Sequence, residues 1–95
     1  MSLRLCVLLW PRPNAAAALV DYEDRVLALM GEHGGVVLQR VRSDGAAGAP
    51  LEIQILEFPD EAALAAYLAD GRRAALSSDR DAAVERAETY RVSLL

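Results

Sequence analysis

Hydrophobic and polar positions change their period several times along the chain, and each change marks an element. Leu3 to Trp10 is a nearly continuous apolar run, suited to a strand buried on both faces. Pro11 and Pro13 punctuate it, and Asn14 is placed to cap a helix. From there Leu19, Tyr22, Val26, Leu29 and His33 recur at spacings of three and four. Met30 shares their stripe, while Asp21, Asp24, Arg25 and Glu32 fall opposite. The spacing predicts one long amphipathic helix, closed by Gly34 and Gly35.

Val36 to Arg42 reads as a second strand, with Arg40 and Arg42 sharing a face with Val36 and Leu38. "SDGAAGAP" is a loop. Leu51 to Phe58 is a third strand, with Leu51, Ile53 and Ile55 on one face and Leu56 and Phe58 on the other. Pro59 stops that strand and Asp60 caps a helix whose stripe is Leu64, Tyr67 and Leu68, ending at Gly71. "RRAAL" suggests a short helical turn, with Arg72 and Arg73 in solvent. "SSDRDAAVERAE" suggests a further helix capped by Ser77 or Ser78, and "TYRVSLL" a last strand. The resulting order, β-α-β-β-α-β, is the ferredoxin-like α+β arrangement: a four-stranded antiparallel sheet with both long helices on one face.

That topology leaves one sheet face uncovered, yet strands one and three carry apolar residues on both faces. An uncovered face of this kind would expose several hundred Å² of apolar surface, on the order of the largest patches monomers tolerate. A homodimer packed sheet against sheet is the expected cover.

Ninety-five residues support a single domain spanning 1–95. The net charge is −4, and the ten basic residues, all arginine, are interleaved with acids. No basic stripe forms, which argues against nucleic acid as a partner. No stretch is long and apolar enough for a membrane span, so no membrane partner is expected. The single cysteine, Cys6, excludes an internal disulfide and a cysteine-based zinc site, and it has no neighbour that would activate its thiol. The single histidine has no spaced partner ligand, and no glycine-rich phosphate loop is present. The expectation is a chain without metal or other cofactor in a reduced, cytoplasmic setting.

The segment "LEFPDEAALAAYLAD", followed by an arginine-rich short helix and a terminal strand, resembles the dimeric α+β-barrel superfamily. The helix and strand "YEDRVLALMGEHGGVVLQRV" fit the same picture. The resemblance is to small uncharacterised bacterial members related to antibiotic-biosynthesis monooxygenases. It implies a barrel built from two protomers and a cavity between sheet and helices. It also implies kinship with enzymes that oxidise aromatic substrates without metal or flavin, although those enzymes typically place a histidine where this chain has Tyr67.

Four residues stand out as candidates. His33 is the only imidazole, the side chain most often used for general acid–base work, and it lies on the apolar stripe of the first helix. Tyr22 and Tyr67 sit on buried stripes, where a phenol must satisfy its hydroxyl. Trp10 ends strand one, at a dimer interface or a pocket rim. Tyr22, His33, Tyr67 and Trp10 are therefore the expected ligand-binding set, with His33 and Tyr67 the catalytic candidates. Two functions fit: a homodimer that binds a small apolar or aromatic molecule, or a cofactor-independent monooxygenase or isomerase acting on an aromatic or lactone-like substrate.

Overall fold

The structure, a computed structural model, describes residues 2–95. Strands β1 (Leu3–Pro11), β2 (Val36–Arg42), β3 (Glu52–Phe58) and β4 (Val84–Val92) form one antiparallel sheet in the order β2-β3-β1-β4. Helices α1 (Ala16–Leu27) and α2 (Glu61–Leu68) cover one face, with two short helices, α3 (Gly71–Ala74) and α4 (Ser77–Ala83), between α2 and β4. This is the ferredoxin-like α+β fold.

The alternation of β1 puts Leu5 and Leu9 under the helices, and β3 contributes Leu56 and Phe58 to the same layer. Leu19, Tyr22 and Val26 from α1 close over them, joined by Leu64 and Tyr67 from α2. Each such side chain, fully removed from water, contributes roughly 1.5–3 kcal/mol before entropy is counted. Asp60 caps α2 as expected, accepting from the Ala63 amide at 2.8 Å.

Several boundaries differ from the sequence reading. The first helix stops at Leu27, and Met30–His33 continues as a 3₁₀ turn. Gly34, in the left-handed region (φ 74°), ends that turn, and a Cβ on Gly35 would lie only 2.9 Å from both Met30 and Phe58. Asn14 caps nothing: it sits at φ 63°, and Ala15 occupies the cap position without a side-chain bond. Neither Ser77 nor Ser78 caps α4, whose cap position is Leu76.

The largest correction concerns "VERAE", which is strand and not helix. Its residues pair along β1 from Pro11↔Val84 through Leu8↔Glu88, and that ladder overrides their helical propensity. In β2, a register shift between Val37 and Gln39 turns the chain over. Val36 therefore pairs with Glu57 on the open face, while Arg40 and Arg42 pair with Gln54 and Glu52 on the helix face.

The Cα envelope measures 38 × 34 × 16 Å. The shortest dimension holds one sheet and one helical layer, so the second sheet face is open. Its centre is apolar: Cys6, Leu8 and Trp10 from β1, Ile53 and Ile55 from β3, Val41 from β2 and Tyr90 from β4. Ion pairs flank this patch, Arg4 with Glu57 at one end and Arg86 with Glu88 at the other. Val41 and Tyr90 are each half exposed, at 50% and 52%. Among the described residues no helix is long and apolar enough to cross a membrane.

Candidate functional site

A cavity of about 360 Å³ lies between sheet and helices, within the size range of small-molecule sites. Leu5, Val7 and Leu9 of β1 and Leu56 and Phe58 of β3 form its floor. Tyr22, Glu23 and Val26 descend from α1 and Leu64 and Tyr67 from α2, while Val84, Ala87 and Thr89 supply the β4 wall. Arg73 of α3 and Arg80 of α4 stand where a more open recess adjoins the cavity.

Polar residues that the apolar pattern did not single out lie in and behind this cavity. Glu23, Glu52 and Gln54 are all buried, at 5%, 0% and 1% exposure. Gln54 Nε2 donates to Glu23 Oε1 at 2.7 Å and to Glu52 Oε2 at 2.6 Å. Arg40 then grips Glu52 with two nitrogens, at 2.7 and 3.2 Å, and reaches Asp24 at the surface at 2.6 Å. Glu52 is thus neutralised by a bidentate guanidinium, whose own pKa is raised chiefly by that bond.

Glu23 has no such cation. Burial pushes its carboxyl above the usual range, against the bond from Gln54, which favours the ionised form. Among the described residues its second oxygen makes no hydrogen bond, and Glu23 lines the cavity. A neutral carboxylic acid there can donate a hydrogen bond, and its anion can accept a proton.

The four expected residues separate. Tyr22 and Tyr67 line the cavity. The Tyr67 hydroxyl donates to the Val26 carbonyl at 2.9 Å, and burial pushes the phenol up to about 12. Burial also raises Tyr22. His33 stands outside the lining, edge-on to Tyr67 with ring centroids 6.0 Å apart, and its Nε2 lies 2.8 Å from Asp70 Oδ2. Hydrogen bonds from Arg72, then from His33, hold the Asp70 carboxyl well below its usual range. Trp10 lies on the opposite sheet face, where Arg86 stacks 4.5 Å from its ring centroid and its Nε1 donates to the Gly48 carbonyl at 2.9 Å.

Arg72 is exposed and pairs with Asp70 and Glu32. Arg73 is not solvated as expected: it is half-buried, its guanidinium carbon lies 4.7 Å over the Tyr67 ring, and its Nε is buried without a partner. Among the described residues no group of three or more His, Cys, Asp or Glu is placed to hold a metal ion.

No protein-family model matches the chain, and no curated protein does. Solved structures match over nearly its whole length. A protein of unknown function from Rhodopseudomonas palustris is 22% identical with a TM-score of 0.78, covering 99% of this chain and 82% of its own. SnoaB, a cofactor-independent oxygenase from Streptomyces nogalater, is 13% identical with a TM-score of 0.74, covering 99% and 93%. A dimeric protein of unknown function and ferredoxin-like fold from Bacteroides fragilis is 11% identical with a TM-score of 0.72, covering 98% and 96%. These likenesses define the chain as a protein of ferredoxin-like α+β fold.

Proposed function

We propose that the chain is a homodimer, packed through its open sheet faces, whose protomers each bind a small apolar or aromatic molecule between sheet and helices. The observation that carries the reading is the 360 Å³ cavity itself, mainly aliphatic and aromatic across its floor, with polar groups placed at its walls. Tyr22 and Tyr67 form its aromatic sides, His33 backs Tyr67 from outside, and Trp10 belongs to the dimer face. The dimeric ferredoxin-like neighbour supports the assembly. Titration calorimetry with a neutral aromatic probe, 2-naphthamide, tests the binding. Saturable binding that disappears in Ala87→Phe, which fills the cavity from β4, is the expected result. Failure to bind, or binding indifferent to Ala87→Phe, overturns the reading.

A second reading is a cofactor-independent monooxygenase or isomerase, supported by the likeness to SnoaB and by Glu23. The phenol of Tyr67 is committed to Val26 and His33 to Asp70, which leaves Glu23 as the group free to move a proton. Turnover of an enolisable aromatic or lactone substrate, lost in Glu23→Gln while naphthamide binding is retained, would establish it. Turnover unaffected by that change would remove Glu23 from the role.

A further inference from the structure

The arginines of this chain are nearly all engaged. Seven of them lie at ion-pair distance from a carboxylate, and Arg12 donates to the Asp81 carbonyl. Among the described residues only the guanidinium groups of Arg73 and Arg80 lie in neither an ion pair nor a side-chain hydrogen bond. Both line the cavity, and both line the recess beside it.

An unpaired cation at the surface is ordinary. Arg73 is half-buried: its Nε is shut off from water and its planar group rests on the Tyr67 ring. A cation–π contact offsets part of the desolvation, but the buried Nε–H is left without acceptors. The nearby acids do not supply them. Asp70, in the outer recess, is taken by Arg72 and His33. Glu23 is held by Gln54 and forms no ion pair with Arg73. A guanidinium fixed by an aromatic face, with donors free and an apolar chamber beside it, suits a planar bidentate anion.

We propose that Arg73, with Arg80 at the mouth, binds the carboxylate of a small aromatic acid whose ring occupies the cavity between Tyr22, Phe58 and Val84. This rests on the cavity reading above and adds the charge and chemical class of the ligand. Glu23, opposite, then receives a hydroxyl or carbonyl on the ligand's ring.

The experiment compares 2-naphthoate with 2-naphthamide on the full chain by calorimetry, together with Arg73→Met, Arg73→Lys and Arg80→Met, and NMR of the arginine Nε–H signals. The acid should bind at least about tenfold tighter than the amide, a difference of about 1.4 kcal/mol. Arg73→Met should bring the two to parity, Arg73→Lys should restore part of the preference, and the Arg73 Nε–H signal should move most on binding naphthoate. Equal affinities in the wild type would overturn the assignment of charge and leave the cavity reading standing. Absence of binding by either compound would overturn both. An acid preference that survives Arg73→Met, or shifts confined to other arginines, would place the anion elsewhere and overturn the role of Arg73. If Arg73→Met does not fold, the wild-type comparison and the Nε–H shifts decide alone.

Discussion

The hydroxyl of Tyr67 donates to the carbonyl of Val26 at 2.9 Å, joining α2 to the last turn of α1 over the cavity. The bond gives a second donor to a helix-terminal carbonyl that already accepts the Leu29 amide, and it holds the ring at the angle on which Arg73 rests. Tyr67→Phe keeps the ring and removes the donor. It should lower stability by about 0.5–1.5 kcal/mol in chemical denaturation, the worth of one hydrogen bond, because the Val26 carbonyl keeps the Leu29 amide at 3.2 Å. Spectrophotometric titration should show this tyrosine ionising near 12, after exposed phenols.

Glu23 should make the folded state sensitive to pH. Its folded pKa is raised, so below the unfolded value of about 4.3 both states carry the proton and it contributes no penalty. As pH rises through the interval up to the folded pKa, the unfolded chain ionises first and stability falls. Glu23→Gln, which can still accept from Gln54, should match the wild type near pH 4 and be more stable near pH 8. Urea melts across that range check it, and parallel curves would mean the carboxyl is not held against its charge.

Arg40 grips the fully buried Glu52 with two nitrogens, and Arg42 stands 3.9 Å from the same carboxylate. Removing Arg40 takes away the only cation hydrogen-bonded to this buried anion among the described residues. Arg40→Met should cost about 3–5 kcal/mol, whereas adding Glu52→Gln should recover most of the loss. Thermal melts of the single and double variants measure the coupling, and additive losses would deny it.

The open sheet face should govern assembly. Gel filtration with light scattering should return twice the 10.2 kDa chain mass at micromolar concentration. Ile55→Glu, at the centre of that face beside Cys6, should return a folded species of one chain mass. A monomeric wild type, or a dimer indifferent to Ile55→Glu, would remove the sheet-to-sheet interface.

Much of this architecture is written in local periodicity. The apolar run of β1, the stripe Leu19–Tyr22–Val26 and the Asp60 cap all appear where the pattern puts them. What the pattern hid depends on partners distant in sequence. Glu85 to Glu88 read as helix because Ala, Glu and Arg favour one, and only the waiting edge of β1 makes them strand. The turn-over in β2 leaves no mark in "VVLQRVR", since both faces offer comparable residues.

The buried polar network was partly legible. In "LEIQILEF", Glu52 and Gln54 share the phase of Leu56 and Phe58, so placing those two under the helices places the polar pair there too. Glu23 likewise lies four residues after Leu19 and three before Val26, on the inward stripe. Arg73 gave no such signal. Its position follows from how the short α3 folds back beside α2, which a four-residue element does not announce.

The sheet order also sets the tempo of folding. β1 is central, yet its neighbours come from the middle and the far end of the chain, with Arg4 meeting both Glu57 and Val92. The β2–β3 pairing spans a short loop and can form early, whereas β1 gains its second neighbour only when the segment after Ala83 arrives. Closing the largest loop last is slow, so this small domain should fold toward the millisecond-to-second regime of non-local topologies and not as fast as a helical bundle. Until β4 docks, an apolar strand edge stands bare, which makes the interval before that docking the time when the chain is most prone to pair with another copy in the wrong way.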